Sequence, residues 1–217
     1  MSQAKFITFE GGDGCGKTTQ SKLLHQALES IGNEAIWTRE PGGTEGADVI
    51  RALLVEGDAC RWDGMTETLL HFAARRDHVE KSIRPAMRQG KWVVCDRFVD
   101  STLAYQGYGH GLGIQAIKNL HNQTIGGFEP HLTFVFDMSV TSALQRTQQR
   151  AGVENRYEQM DAGFHERLRA GFLSIAQDNP DRCVVVDASQ TIEQVRSVIC
   201  NEVSSRFNID LPNVQAA

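Results

Sequence analysis

The sequence predicts an α/β fold: a five-stranded parallel sheet with helices on both faces. Three observations predict it. Short apolar, β-prone runs alternate with segments of helical period along the whole chain. Those runs are apolar throughout rather than alternating, as strands covered on both faces require. Each also ends in charged residues: Glu10, Arg39-Glu40, Asp96-Arg97, Asp137 and Asp187. In sheets of this class ligands bind beyond the strands' carboxyl ends.

The first strand is the run Phe6, Ile7, Phe9, which stops at Gly11. A glycine-rich turn follows, and a helix is predicted from Lys17 to Ile31 by Leu23, Leu24, Ala27, Leu28 and Ile31, with Gly32 closing it. Glu34 to Thr38 reads as a short strand, followed by the turn-rich Arg39-Glu40-Pro41-Gly42-Gly43-Thr44. Helices are predicted at 44–55 and 66–89, the second divided or kinked by Pro85. Trp92 to Cys95, Leu132 to Phe136 and Cys183 to Val186 are strands. Helices at 139–150, 161–177 and 191–206 fill the remaining gaps, and the tail from Asn208 is expected to fray. No repeat, low-complexity segment or linker divides the chain, so residues 1–217 read as one domain.

Composition narrows the function classes. Apolar content of 41% and charged content of 23% describe an ordinary globule. A net charge of −5 supplies no basic footprint for nucleic acid or anionic lipid. No apolar run reaches the length of a membrane span, and the first residues lead into a strand rather than a targeting segment, which points to the cytoplasm. The five cysteines are odd in number and widely spaced, fitting neither a disulfide framework nor a zinc site.

The spacing Gly11-x4-Gly16-Lys17-Thr18, set between a strand and a helix, is the P-loop pattern. A triphosphate must be wrapped by donors, and glycines let backbone N–H groups turn inward without a Cβ in the way. The helix N-terminus aims positive potential at the same point. Lys17 can bridge the β- and γ-phosphates and Thr18 can ligate Mg²⁺. Residues Gly11, Gly12, Asp13, Gly14, Cys15, Gly16, Lys17, Thr18 and Thr19 are therefore the expected nucleotide cradle. Asp96 is a second expected metal oxygen, and Arg97 offers a planar fork for phosphate. Between Arg150 and Asp161 the helical pattern lapses, and the pattern alone allows two readings equally: a short lid at about 150–160 carrying Arg150 and Arg156 to the transferred group, or a solvated corner between two helices.

In combination these residues resemble the thymidylate kinase family. The resemblance rests on Phe9 to Thr19, on Arg39 to Thr44, on Phe72-Ala73-Ala74-Arg75, on Asp96-Arg97-Phe98 with Ser101 to Gly107, and on Asn155-Arg156-Tyr157-Glu158. It covers nearly the whole chain in order. It implies the P-loop NTPase fold and transfer of the ATP γ-phosphoryl group to dTMP, with Mg²⁺, by a homodimer. It also implies roles. Lys17, Asp13, Arg97, Arg150 and Arg156 would be catalytic. Glu40, Arg51, Phe72, Arg75, Arg97, Thr102, Tyr105 and Gln106 would bind the acceptor, with Arg75 on the thymine edge and Tyr105 against the sugar. Position 14 is Gly, not the arginine that one branch of the family carries, so the chain resembles the bacterial branch, in which lid arginines supply the charge.

The family usually stacks thymine on a phenylalanine four residues before the base-reading arginine. Here that position is His71, and Phe72 lies three before Arg75. The expectation is that Phe72 meets the base. Alternatives are a P-loop kinase for another nucleoside monophosphate or a deoxynucleoside, a GTPase-type switch, which the missing Asn-Lys-x-Asp motif opposes, and an ATPase without a small acceptor.

Overall fold

The computed structural model describes residues 4–58, 61–148, 157 and 160–212. Five strands, β1 (Phe6–Gly11), β2 (Ala35–Arg39), β3 (Trp92–Asp96), β4 (Leu132–Asp137) and β5 (Cys183–Asp187), form one sheet in the order β2-β3-β1-β4-β5. Every pairing is parallel. β1 is the central strand and is buried throughout. Its side chains divide by alternation: Phe6 enters one core, and Ile7 and Phe9 enter the other. The chain leaves β1 outward to β2, then crosses back from β3 to β4, so the crevice at the reversal opens above β1 and β3.

Helix α1 (Lys17–Ser30) buries Leu24, Ala27 and Leu28 against the Ile7–Phe9 face, beside α9 (Ile192–Phe207). On that face Trp92 packs edge-on against Phe207, with ring centres 5.3 Å apart. α2 (Glu45–Val55) is capped by the Thr44 hydroxyl, which accepts the Ala47 N–H at 3.2 Å. α3 (Gly64–His78) is capped by Asp63, which accepts from the N–H groups of Met65 and Thr66. α9 begins with a reciprocal capping box of Thr191 and Gln194. α7 (Val140–Gln148) and α8 (Ala162–Asp178) match the periodicity within two residues at each described end.

The structure differs from the sequence-based expectation in three places. The predicted 66–89 helix is divided near Pro85 as expected, but through a π-helical turn, Val79–Ile83, before α4 (Arg84–Arg88). Pro85 has no N–H for an i−4 carbonyl, and a wider turn just ahead of it accommodates the lost bond. Val99 to Ile125, left unassigned, is largely helical: α5 (Val99–Thr102), a π-helical segment (Leu103–Gly109) and α6 (Ile114–Ile125). The glycines that hide this helix are packing residues. A Cβ on Gly109 would lie 2.6 Å from the Phe164 ring of α8. Third, the tail does not fray at Asn208. Leu211 is buried, and its N–H donates to Ser204 Oγ at 3.1 Å. Among the described residues no helix is long and apolar enough to cross a membrane.

Candidate active site

The P-loop leaves the end of β1 and turns under the N-terminus of α1. Gly14 has φ +81° and lies against α7, where a Cβ would sit 2.4 Å from the Ala143 carbonyl oxygen. No side chain fits at this position, which is a physical reason for Gly rather than arginine. Lys17 is buried, and its Nζ donates to the Gly12 carbonyl at 2.5 Å. This bond holds the loop closed and keeps the ammonium inside the arc. Burial lowers the Lys17 pKa, and nearby Arg97 lowers it further.

Strand β3 delivers the next two groups. Thr18 Oγ1 donates to the Asp96 carboxylate. Among the described residues no three His, Cys, Asp or Glu side chains converge on a metal position. One carboxylate beside one hydroxyl, next to a phosphate cradle, is a hard-oxygen pair. It suits Mg²⁺, which completes its shell with water and substrate phosphates.

Arg97 has a left-handed backbone, φ +71°, rare for a non-glycine residue. Its neighbours account for it. The Arg97 N–H donates to the Phe9 carbonyl at 2.9 Å, and the next N–H, of Phe98, donates to Glu10 Oε1 at 2.7 Å. The turn swings the guanidinium back over the P-loop. There Nη1 donates to the Gly11 carbonyl at 2.9 Å and to Ser101 Oγ at 3.0 Å, and Nη2 donates to Asp13 Oδ1 at 2.6 Å. Tyr105 OH donates to the other Asp13 oxygen at 2.8 Å. Burial alone would push the Asp13 carboxyl up, but Arg97 and Lys17 outweigh it and hold the group well below the carboxylate range. Glu10, fully buried and near Asp100, is pushed up to about 7 by burial and by that neighbouring charge.

The far end is built on α3 and the π-helical segment. Arg75 is 2% exposed. Its Nε donates to Glu40 Oε2 at 2.7 Å, and its Nη2 donates to Thr102 Oγ1 at 2.9 Å and to the Phe98 carbonyl at 3.1 Å. Glu40 Oε1 is held in turn by His78 Nδ1 at 3.0 Å, and His78 Nε2 meets Thr38 Oγ1 at 2.7 Å. Gln106 Nε2 donates to the buried Glu67 at 2.7 Å.

Lys17, Thr18, Glu40, Arg75, Asp96, Arg97 and Gln106 share one open basin of about 650 Å³, with Glu67 and His78 behind its wall. Gly14, Gly16, Lys17 and Thr18 line one end, Asp96 and Arg97 the middle, and Arg75, Thr102, Tyr105 and Gln106 the other end. Asp13, Glu40 and Arg51 also reach it, and Arg51 Nη1 donates to the Pro41 carbonyl at 2.7 Å. Not every expected residue arrives there. Gly11, Gly12, Cys15 and Thr19 are absent from the basin wall. Gly11 and Gly12 act through their carbonyls, Cys15 faces the opposite side of the loop, and Thr19 is exposed. Burial pushes the Cys15 thiol up, the reverse of activation by a helix N-terminus. Arg150 and Arg156 lie outside the described residues.

Phe72 requires a correction. It is 1% exposed in the core and does not line the basin, whereas His71 does, with Nε2 at 3.2 Å from Tyr157 OH. Glu67, His71 and Arg75 recur every four residues and share one stripe of α3, while Phe72 turns toward the sheet. Sequence reasoning placed no role on His78, Glu67 or Ser101. For Glu67, the four-residue spacing to His71 and Arg75 was the available signal. For His78 and Ser101 there was none, because their partners lie far away in sequence.

A family model described as Thymidylate kinase matches residues 9–199. The thymidylate kinase of Caulobacter vibrioides is 48% identical over 209 residues, covering 96% of this chain and 100% of that protein. That of Magnetococcus marinus is 44% identical, covering 94% and 98%. A crystal structure of thymidylate kinase from Ehrlichia chaffeensis superposes with a TM-score of 0.75 at 38% identity, covering 92% of this chain and 98% of that one. A glycine-rich P-loop, a clamped arginine and a polar far end around Arg75 sharing one basin agree with this likeness, and the chain belongs to the thymidylate kinase family.

Proposed function

We propose that the basin carries the family reaction, transfer of the γ-phosphoryl group of ATP to dTMP to give dTDP, with this chain's residues in the following roles. The observation that carries the reading is the placement of Arg97. A left-handed turn fixes it between the P-loop and Tyr105, in the same basin as Lys17 and Arg75. Two anions entering from opposite ends would meet there.

The P-loop backbone and Lys17 hold the donor's phosphates. Arg97 clamps the acceptor phosphate, with Arg51 beside it. Asp13 is charged and ties Arg97 to Tyr105, so it orients the clamp and takes no proton. The acceptor phosphate oxygen is itself the nucleophile, and the protein contributes alignment and charge neutralisation. Thr18 and Asp96 would hold Mg²⁺, which would supply neutralisation of phosphate charge. Arg150 and Arg156 are proposed to add positive charge at the transferred group. Arg75 reads the base edge beside Thr102 and Gln106, and His71 rather than Phe72 faces the ring. Tyr105 packs against the sugar.

Residues 1–217 are read as one kinase domain with its lid at about 150–160, working in the cytoplasm. Four free cysteines among the described residues agree with a reducing compartment. A homodimer belongs to the same reading, supported by Val49, 65% exposed on α2, and Leu69, 50% exposed on the adjoining α3. Sedimentation of the purified protein tests that point.

The activity test is ADP release from Mg·ATP with dTMP, dUMP, dCMP, AMP or GMP added separately. Strong stimulation by dTMP and weaker stimulation by dUMP is expected. Preference for a purine monophosphate would overturn the base-end assignment. Release independent of every acceptor would overturn the kinase reading.

A further inference from the structure

The base end contains a device that the residue roles above leave unexplained. Glu67 is 1% exposed, so its carboxylate is buried behind the residues that line the basin rather than turned to solvent. It stands two helical turns before Arg75 on the same stripe of α3. Its Oε1 accepts from Gln106 Nε2 at 2.7 Å, and His110 Nε2 lies 3.6 Å from the same oxygen. A carboxylate only accepts hydrogen bonds, whereas an amide has a donating and an accepting end. Glu67 therefore determines which end of Gln106 it takes. The NH₂ group is drawn to Glu67, and the carbonyl Oε1 is left for the basin that Gln106 lines. Arg75, which lines the same basin, keeps one buried nitrogen, Nη1, without a partner, and a guanidinium only donates.

One fixed acceptor and one fixed donor make a two-letter code. A pyrimidine presenting a carbonyl oxygen next to a ring N–H pairs with both. A pyrimidine presenting an amino group next to a bare ring nitrogen leaves both unpaired. We propose that Glu67 is a specificity-determining positioning residue: by holding the Gln106 amide in one orientation it selects the thymine and uracil edge over the cytosine edge. The inference rests on the base-end assignment made above. Sites built on such pairs reject the mismatched analogue by on the order of 10⁴.

The test is the ratio of kcat/KM for dTMP to that for dCMP, in the wild type and in Glu67→Gln. A glutamine at this position can donate as well as accept, so Gln106 is free to turn over. The ratio is expected to fall by about tenfold or more, mainly through a lower KM for dCMP. Adding Gln106→Leu gives a double-mutant cycle, in which Glu67→Gln is expected to have no further effect on the ratio. A general loss of packing would lower both substrates' values together and leave the ratio unmoved. If Glu67→Gln melts below assay temperature, Glu67→Ala replaces it, with the same ratio as readout. A wild type that does not discriminate dTMP from dCMP overturns the base-end assignment. A discriminating wild type whose ratio survives the Glu67 substitution that folds overturns the role of Glu67 alone.

Discussion

Replacing Glu10 by Gln should change the slope of stability against pH. Glu10 is fully buried at the end of β1, near Asp100, accepting from the Phe98 N–H and from Ser101 Oγ. Its pKa rises from 4.5 to about 7, through burial first and Asp100 second, with Arg97 and the two hydrogen bonds opposing. The folded state therefore retains a proton that the unfolded chain has lost. This term favours folding fully below about pH 4.5, and the advantage is lost as pH rises to about 7, a change of about 3 kcal/mol. His121 acts in the opposite sense. Neither of its buried ring nitrogens has a partner, and burial, with nearby Arg75, lowers its pKa from 6.5 to about 4. The unfolded chain binds a proton there that the folded state refuses, so this term raises stability by about 3 kcal/mol between about pH 4 and 6.5. The two slopes nearly cancel in the wild type. Glu10→Gln keeps an acceptor for Phe98, removes the first slope and exposes the second. The assay is urea unfolding of both proteins between about pH 5 and 8. The variant's stability relative to wild type should rise across that range by about 2–3 kcal/mol. A difference constant with pH would refute the buried titration.

Further outcomes follow from single contacts. Gly14→Ala forces a Cβ against the Ala143 carbonyl from a left-handed backbone, so it should lower Tm and raise KM for ATP, read by thermal melts and initial rates. Asp96→Asn should raise the Mg²⁺ concentration for half-maximal rate by on the order of 10–100-fold, and an unchanged Mg²⁺ titration would remove Asp96 from the metal site. His71→Phe should alter KM for dTMP with little effect on stability, while Phe72→Ala should cost about 3–5 kcal/mol in denaturant melts. The opposite pattern would return Phe72 to the base.

The strands, the P-loop and the charged strand ends were legible because each depends on neighbours in sequence. Apolar runs specify buried strands, and the spacing from Gly11 to Thr18 specifies a turn between a strand and a helix. Lys17, Thr18, Asp96, Arg97 and Arg75 could be named from pattern and resemblance, since each carries a charge or hydroxyl at a strand end, a loop or a helix face. What no local pattern contains is the partner of a side chain. Whether Phe72 or His71 meets the basin depends on where the α3 axis lies over the sheet, and a rotation of one residue position exchanges them. The π-helical segments answer to Pro85 and to the close approach of Gly109 to Phe164, both packing effects that disrupt helical periodicity. Glu10 with Phe98, Glu40 with His78 and Glu67 with Gln106 are 88, 38 and 39 residues apart. Burial gives such pairs their strength, since a polar group removed from water must find its hydrogen bond within the protein. The sequence by itself determined which chemistry is present; the tertiary structure decided which of those groups face one another and which way each is turned.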